Sequence, residues 1–170
     1  MLVPYDPEWP RLFEEERALL ERVLAPWLLA GIHHIGSTAI PGVAAKPIID
    51  MMAGVRDLEE ARASFGRLRE HGYVFAPHRP DEAHHFAKPS TSESTYSLHL
   101  TVPGSALWRE RLAFRDALRS DAALAAEYEG LKMRLASDRD TYTAAKRPFV
   151  ARVVAMSGIE LRSPPTPPSA

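Results

Sequence analysis

Hydrophobic positions divide the chain into a helical opening, an extended middle and a helical end. Asp6-Pro7 supplies a cap and a residue suited to a first helical turn. Phe13, Leu20, Val23, Leu24, Trp27 and Leu28 then recur at helical spacing and predict one amphipathic helix over 7–30. Pro26 marks either a kink or an end at Ala25. Residues 32–35 read as a strand closed by Gly36, and 37–45 as a short helical turn interrupted by Pro41-Gly42. From Pro47 to Val55 the chain is almost continuously apolar around one carboxylate, Asp50, which is the pattern of a central strand.

Asp57 caps a predicted helix whose Leu58, Ala61, Phe65 and Leu68 share one face and which Gly72 ends. A strand follows at 73–75, then a polar linker over 76–83. Two further strands, 84–88 and 95–102, flank a Ser/Thr/Glu turn. The second alternates, with Tyr96, Leu98, Leu100 and Val102 on one face and Ser97, His99 and Thr101 on the other. Helical periodicity returns over 105–119, 121–136 and 141–156, with caps at Ser105 and Asp121, and predicts a C-terminal helical layer. The class is α/β. One domain is expected over 1–160, with a Pro-rich tail over 161–170 whose composition cannot build a core.

Composition narrows the chemistry. A length of 170 residues suffices for one self-sufficient core. The absence of cysteine removes disulfides, thiolate zinc sites and a thiol nucleophile, and fits a reducing cytoplasm. Twenty-one basic residues nearly cancel 22 acidic ones, so non-specific nucleic-acid binding is not favoured. The first residues lack the pattern of a signal peptide and no apolar run has membrane-spanning length, so a cytoplasmic protein without a membrane partner is expected.

The candidate chemistry gathers at Gly36-Ser37-Thr38 and Asp50. A glycine at a strand end lets backbone approach a ligand, and a Ser-Thr pair entering a helical turn offers hydroxyls and free N–H groups to phosphate. Twelve residues separate Ser37 from Asp50, enough to return along a neighbouring strand and set the carboxylate towards the same phosphate through a divalent metal. The commonplace reading of both is an ordinary turn and a carboxylate satisfying a neighbouring backbone group. His33-His34, His84-His85 and His99 fall on predicted strands, where only one of each adjacent pair can face a pocket. His84 or His85 with His99 and Asp50 would offer a zinc, nickel or iron site; otherwise these histidines are hydrogen-bonded residues lining a polar cleft. Lys132 and the Arg115–Asp116 pair read as helix-surface side chains or a structural ion pair, and Trp9, Trp27 and Trp108 as packing residues.

The series YDPEW, HHIGSTAIPGVAAKPIID, HHFAK, SLHLTVPGS, FRDALR, EYEGLK and KRPFV resembles the GrpB family of the nucleotidyltransferase superfamily over residues 3–157. The resemblance implies a polymerase-beta-like core, a short mixed β-sheet flanked by helices, with the Gly-Ser turn after the first strand and a metal-binding carboxylate on the second. It implies Mg²⁺ or Mn²⁺ at Asp50 and His99, these two as catalytic residues, and a nucleotide or phosphorylated small molecule as ligand. Gly36, Ser37, Thr38, Lys46, His85, Lys88, Lys146 and Arg147 are the expected phosphate contacts. The family pattern places an acidic partner two residues after Asp50 and another on a later strand; Met52 and His99 stand there. Three functions follow: metal-dependent nucleotidyl or phosphoryl transfer, a non-catalytic nucleotide- or phosphate-binding module, and a His-liganded transition-metal hydrolase. Analogy with relatives fused to dephospho-coenzyme A kinase suggests a link to coenzyme A metabolism.

Overall fold

The computed structural model describes residues 1–135 and 139–164. Helix α1 (Trp9–Leu24) leads into strand β1 (Leu28–Ile35), a 3-10 turn at Ser37–Ala39 and strand β2 (Ile49–Val55). Two short helices, α2 (Leu58–Ala61) and α3 (Phe65–Glu70), precede strands β3 (Val74–Phe75), β4 (His84–Lys88) and β5 (Tyr96–Thr101). Helices α4 (Ala106–Ser120), α5 (Ala122–Leu135) and α6 (Arg139–Ala155) follow. The strands form one mixed sheet in the order β1-β2-β5-β4-β3, with β2 and β5 parallel and every other pair antiparallel.

The opening helix is shorter than its periodicity predicts. Asp6 accepts from the Glu8 backbone, so helical residues begin at Trp9. The helix ends at Leu24, because Pro26 has no N–H to donate and Trp27 closes a turn onto the Leu24 carbonyl at 2.9 Å. The apolar run after it is strand: Leu28 pairs with Val55, Leu29 turns outward at 61 % exposure, and a bulge between Leu28 and Ile32 contains Gly31 at positive φ. The helix expected after Asp57 is broken by a 3-10 turn at Arg62–Ser64. Ser105 and Asp121 cap α4 and α5 as expected, accepting from Trp108 N and Leu124 N. Residue 136 and the tail beyond 164 lie outside the described residues.

Each face of the sheet carries its own layer. Met51, Ala53, Leu98, Leu100 and Phe86 pack with Leu20, Leu24 and Trp9 of α1. Leu20 and Leu24 are fully buried, each contributing about 1.5–3 kcal/mol on transfer from water. On the other side Ile40 and Val43, just after the 3-10 turn, pack with Leu118, Leu124, Tyr128, Phe149 and Val153 of the last three helices. Trp108 reaches the sheet where Gly54 leaves room, since a Cβ there would lie 2.9 Å from the indole. The turn after β1 is therefore held between the sheet and α5, with Asp50 beneath it. Among the described residues no helix is long and apolar enough to cross a membrane.

Candidate functional site

Strand register decides which residues share the cleft face. Asp50 lies beside Ser97 of β5 and Ile35 of β1, and Met52 lies beside His99. On β4, His85 is opposite His99 and Ala87 opposite Ser97. Alternation thus brings Asp50, Met52, Ser97, His99 and His85 to one face. His84 and Lys88 point to the other.

Gly36 is what brings the turn down onto Asp50. Its φ of 71° belongs to the region natural only to glycine, and a Cβ there would lie 2.5 Å from Asp50 Oδ2. Ser37 Oγ lies 3.2 Å from the Tyr128 hydroxyl of α5, tying the turn to the helical layer. Two arginines of α4 brace it from behind: Arg115 donates to the His34 carbonyl at 3.1 Å and Arg119 to the Ala39 carbonyl at 2.7 Å. Arg115 also pairs with Asp116 at 2.7 Å, one of the two roles expected for them.

Asp50 borders a cavity of about 210 Å³ with Ile48, Ala76, His85, Ala87, Thr91, Ser94 and Ser97. Burial raises its pKa, opposed first by Arg111 of α4, then by a hydrogen bond from Ser97, then by His85 and Lys146. Arg111 is exposed on α4, and its charge is felt at the carboxylate. His85 donates from Nδ1 to the Ala76 carbonyl at 3.0 Å, because that oxygen can only accept, and meets Ser97 Oγ through Nε2 at 3.0 Å. The rings of His85 and His99 stack with centroids 4.7 Å apart. Burial, Arg111 and His85 hold His99 well below the usual histidine range, so it is neutral at pH 7.

Several expected contacts lie elsewhere. Thr38 is 2 % exposed; its hydroxyl donates to the Ile48 carbonyl at 3.1 Å and accepts from His34 Nε2 at 2.9 Å, so it serves the core. Lys88 pairs with Glu16 of α1 at 2.8 Å on the opposite sheet face, and His84 bonds the Leu58 carbonyl there. Lys46 is exposed on the segment leading into β2. Arg147 donates to the Arg162 carbonyl, whereas the charge of Lys146 is felt at Asp50.

Lys132 reverses its expected surface role. It is 1 % exposed, its Nζ has no hydrogen-bond partner among the described residues, and it lies 4.9 Å from the Tyr128 ring centroid. Burial and then Lys146 lower its pKa to about 8. Ser97, Arg111 and Tyr128 are further site residues that sequence reasoning did not single out. Only Ser97 carried a signal, sharing the alternation of His99.

The Mg²⁺ or Mn²⁺ implied by the resemblance finds an incomplete donor set. Such ions demand several oxygen ligands in near-octahedral array. Met52, at the position of the second carboxylate, is fully buried and offers only a thioether. Among the described residues no group of three or more His, Asp or Glu is placed to hold a metal.

The family model described as GrpB protein matches residues 1–156. The glutamate-rich protein GrpB of Alkalihalophilus pseudofirmus is 36 % identical over 163 residues, covering 91 % of this chain and 93 % of its own. A dephospho-CoA kinase of Mycolicibacterium paratuberculosis is 29 % identical over 187 residues, covering 87 % of this chain and 43 % of the kinase. The crystal structure of conserved protein GrpB from Enterococcus faecalis superposes with a TM-score of 0.83 at 29 % identity, over 92 % of this chain and 96 % of that one. The GLD-2/RNP-8 complex gives 0.59 at 14 % identity over 91 % and 51 % of the two chains. Cid1, described by its RNA terminal uridylyl transferase activity, gives 0.50 at 12 % over 74 % and 38 %. The chain belongs to the GrpB family and has a nucleotidyltransferase-like fold.

Proposed function

We propose that this protein binds a nucleotide or phosphorylated small molecule in the cavity bordered by Asp50, His85, Thr91, Ser94 and Ser97, beside the Gly36-Ser37 turn. The observation that carries this reading is the turn itself, a backbone conformation natural only to glycine pressed onto a carboxylate at the wall of a 210 Å³ cavity. A glycine at such a position lets the backbone come close to a ligand. The charges of Arg111 and Lys146 are felt at Asp50 and suit a phosphate group beside it. Ser37 supplies a hydroxyl and the turn supplies backbone N–H groups. The similarity to a dephospho-CoA kinase supports ligands of coenzyme or nucleotide metabolism.

A second reading, Mg²⁺- or Mn²⁺-dependent nucleotidyl or phosphoryl transfer with Asp50 and His99 as catalytic residues, is favoured by the fold shared with Cid1. Thermal denaturation against a panel of nucleotides and coenzyme A precursors, with and without these metals, separates the two. Ligand-dependent stabilisation unaffected by EDTA supports the binding module. Metal-dependent product formation abolished by Asp50→Ala supports the transferase. If no phosphorylated ligand raises the melting temperature and none is turned over, both readings fail.

A further inference from the structure

We propose that a second hollow, where the β1 edge meets α1 and α4, binds a small amphipathic monocarboxylate, with Arg119 as the group that receives its charge.

The hollow encloses about 290 Å³ and shares no lining residue with the cavity at Asp50. Pro10 and Phe13 of α1, Ile32 of β1 and Pro41 give it apolar walls, and Arg115 and Arg119 of α4 stand in the same lining. Mostly apolar walls with a few polar groups are the usual form of a small-molecule site. The strand edge does not offer itself to another strand here, because Arg115 already donates to the His34 carbonyl at 3.1 Å. The occupant is therefore a molecule seated between the helices rather than a strand added to the sheet.

The carboxylate and guanidinium groups of the lining are those of Glu14, Arg115 and Arg119. Glu14 is paired with Arg17 at 2.5 Å, and Arg115 with Asp116 at 2.7 Å. Arg119 is left. Its Nε donates to the Ala39 carbonyl at 2.7 Å, and among the described residues its two terminal nitrogens have no hydrogen-bond or ion-pair partner. Asp116 and Tyr5 favour its charge, but burial and Arg115 outweigh them and lower its pKa. His34 adds no positive charge at pH 7, since burial, then Arg119 and Arg115, lower its pKa to about 4. His33 uses Nε2 to donate to the Ala30 carbonyl at 3.1 Å. A guanidinium with both terminal nitrogens free presents a fork that matches the two oxygens of a carboxylate. One cation without a partner balances one negative charge, and the apolar walls take the rest of the ligand. Inorganic phosphate, with more charge and no apolar body, matches neither feature.

NMR titration of the isotope-labelled protein with benzoate tests this. Binding is expected to shift the amides of Phe13, Thr38 and Ala39 and to leave those of Thr91, Ser94 and Ser97 unmoved. Benzamide, the same ring without the charge, and inorganic phosphate should each bind at least tenfold more weakly. Arg119→Gln should weaken benzoate by the same factor, about 1.4 kcal/mol. Should the spectrum of that variant show a lost fold, Pro10→Trp replaces it with the same expected loss, since Pro10 is exposed at the rim and an indole there fills the hollow. No saturable shift at millimolar benzoate, shifts at Ser94 and Ser97 instead, equal binding of benzamide or phosphate, or an affinity unchanged by these substitutions overturns the proposal. Because the two hollows share no residue, such a result leaves the reading of the Asp50 cavity standing.

Discussion

Replacing Gly36 by alanine probes the junction on which the cleft depends. Two costs add. A residue with a Cβ at φ 71°, ψ −172° occupies a region essentially reserved for glycine. The new methyl would also lie 2.5 Å from Asp50 Oδ2 and 3.0 Å from its Cβ. Asp50 cannot retreat with its strand, because β2 is paired on both sides. Together these amount to about 2–4 kcal/mol, or a fall in melting temperature of roughly 5–15 °C for a chain of this length. Urea denaturation gives the free energy, with an unchanged slope showing that the unfolded state is unaltered. Gly66→Ala is the control: it lies in α3 with nothing within 4 Å of an added methyl and no positive φ, so alanine should be neutral or stabilising by up to about 1 kcal/mol. A cost below about 0.5 kcal/mol at Gly36 would mean that the turn is not pressed onto Asp50.

Lys132 predicts a rise in stability above neutral pH. With its pKa lowered to about 8 from 10.5, the unfolded chain binds the extra proton between those values, so stability increases as pH rises through that window. At about 1.4 kcal/mol per pH unit the gain approaches 3 kcal/mol; denaturation at pH 7.5 and 10 should show it, and Lys132→Met should abolish it. His34, held near 4 by burial, Arg119 and Arg115, predicts the opposite flank: stability falls as pH drops from 6.5 to 4, by up to about 3 kcal/mol. NMR titration of the imidazole checks this, and a pKa above 6 would contradict it. Lys88→Ala should lower stability by about 1–3 kcal/mol, since it leaves the buried Glu16 carboxylate with the Tyr73 hydroxyl but without its paired cation, and leave ligand affinity unchanged in calorimetry.

Strands were the most legible part of the fold, because alternation and apolar runs survive in the sequence wherever one face is buried. The same parity separates residues that a shared motif would group. His85 and Lys88 stand three residues apart on one strand, so they cannot share a face, and β4 sends one to the cleft and the other to Glu16. Leu124, Tyr128 and Lys132 recur every four residues on α5, which places the lysine in the buried stripe despite its charge. The run from Leu28 to Ala30 fits helix and strand equally, and pairing of Leu28 with Val55 of β2 decides for strand. Arg111 had no such signal; its nearness to Asp50 comes from how α4 crosses the sheet, which no local pattern encodes.

A crystal structure of the protein with a nucleoside diphosphate or triphosphate would locate the bound phosphates outright. Their oxygens should lie in the cavity bordered by Asp50, His85, Thr91, Ser94 and Ser97, within hydrogen-bond distance of its hydroxyls at roughly 2.7–3.2 Å. Phosphates seated elsewhere, such as in the hollow of about 290 Å³ beside Arg115 and Arg119 at the β1 edge, would contradict the assignment of the cleft.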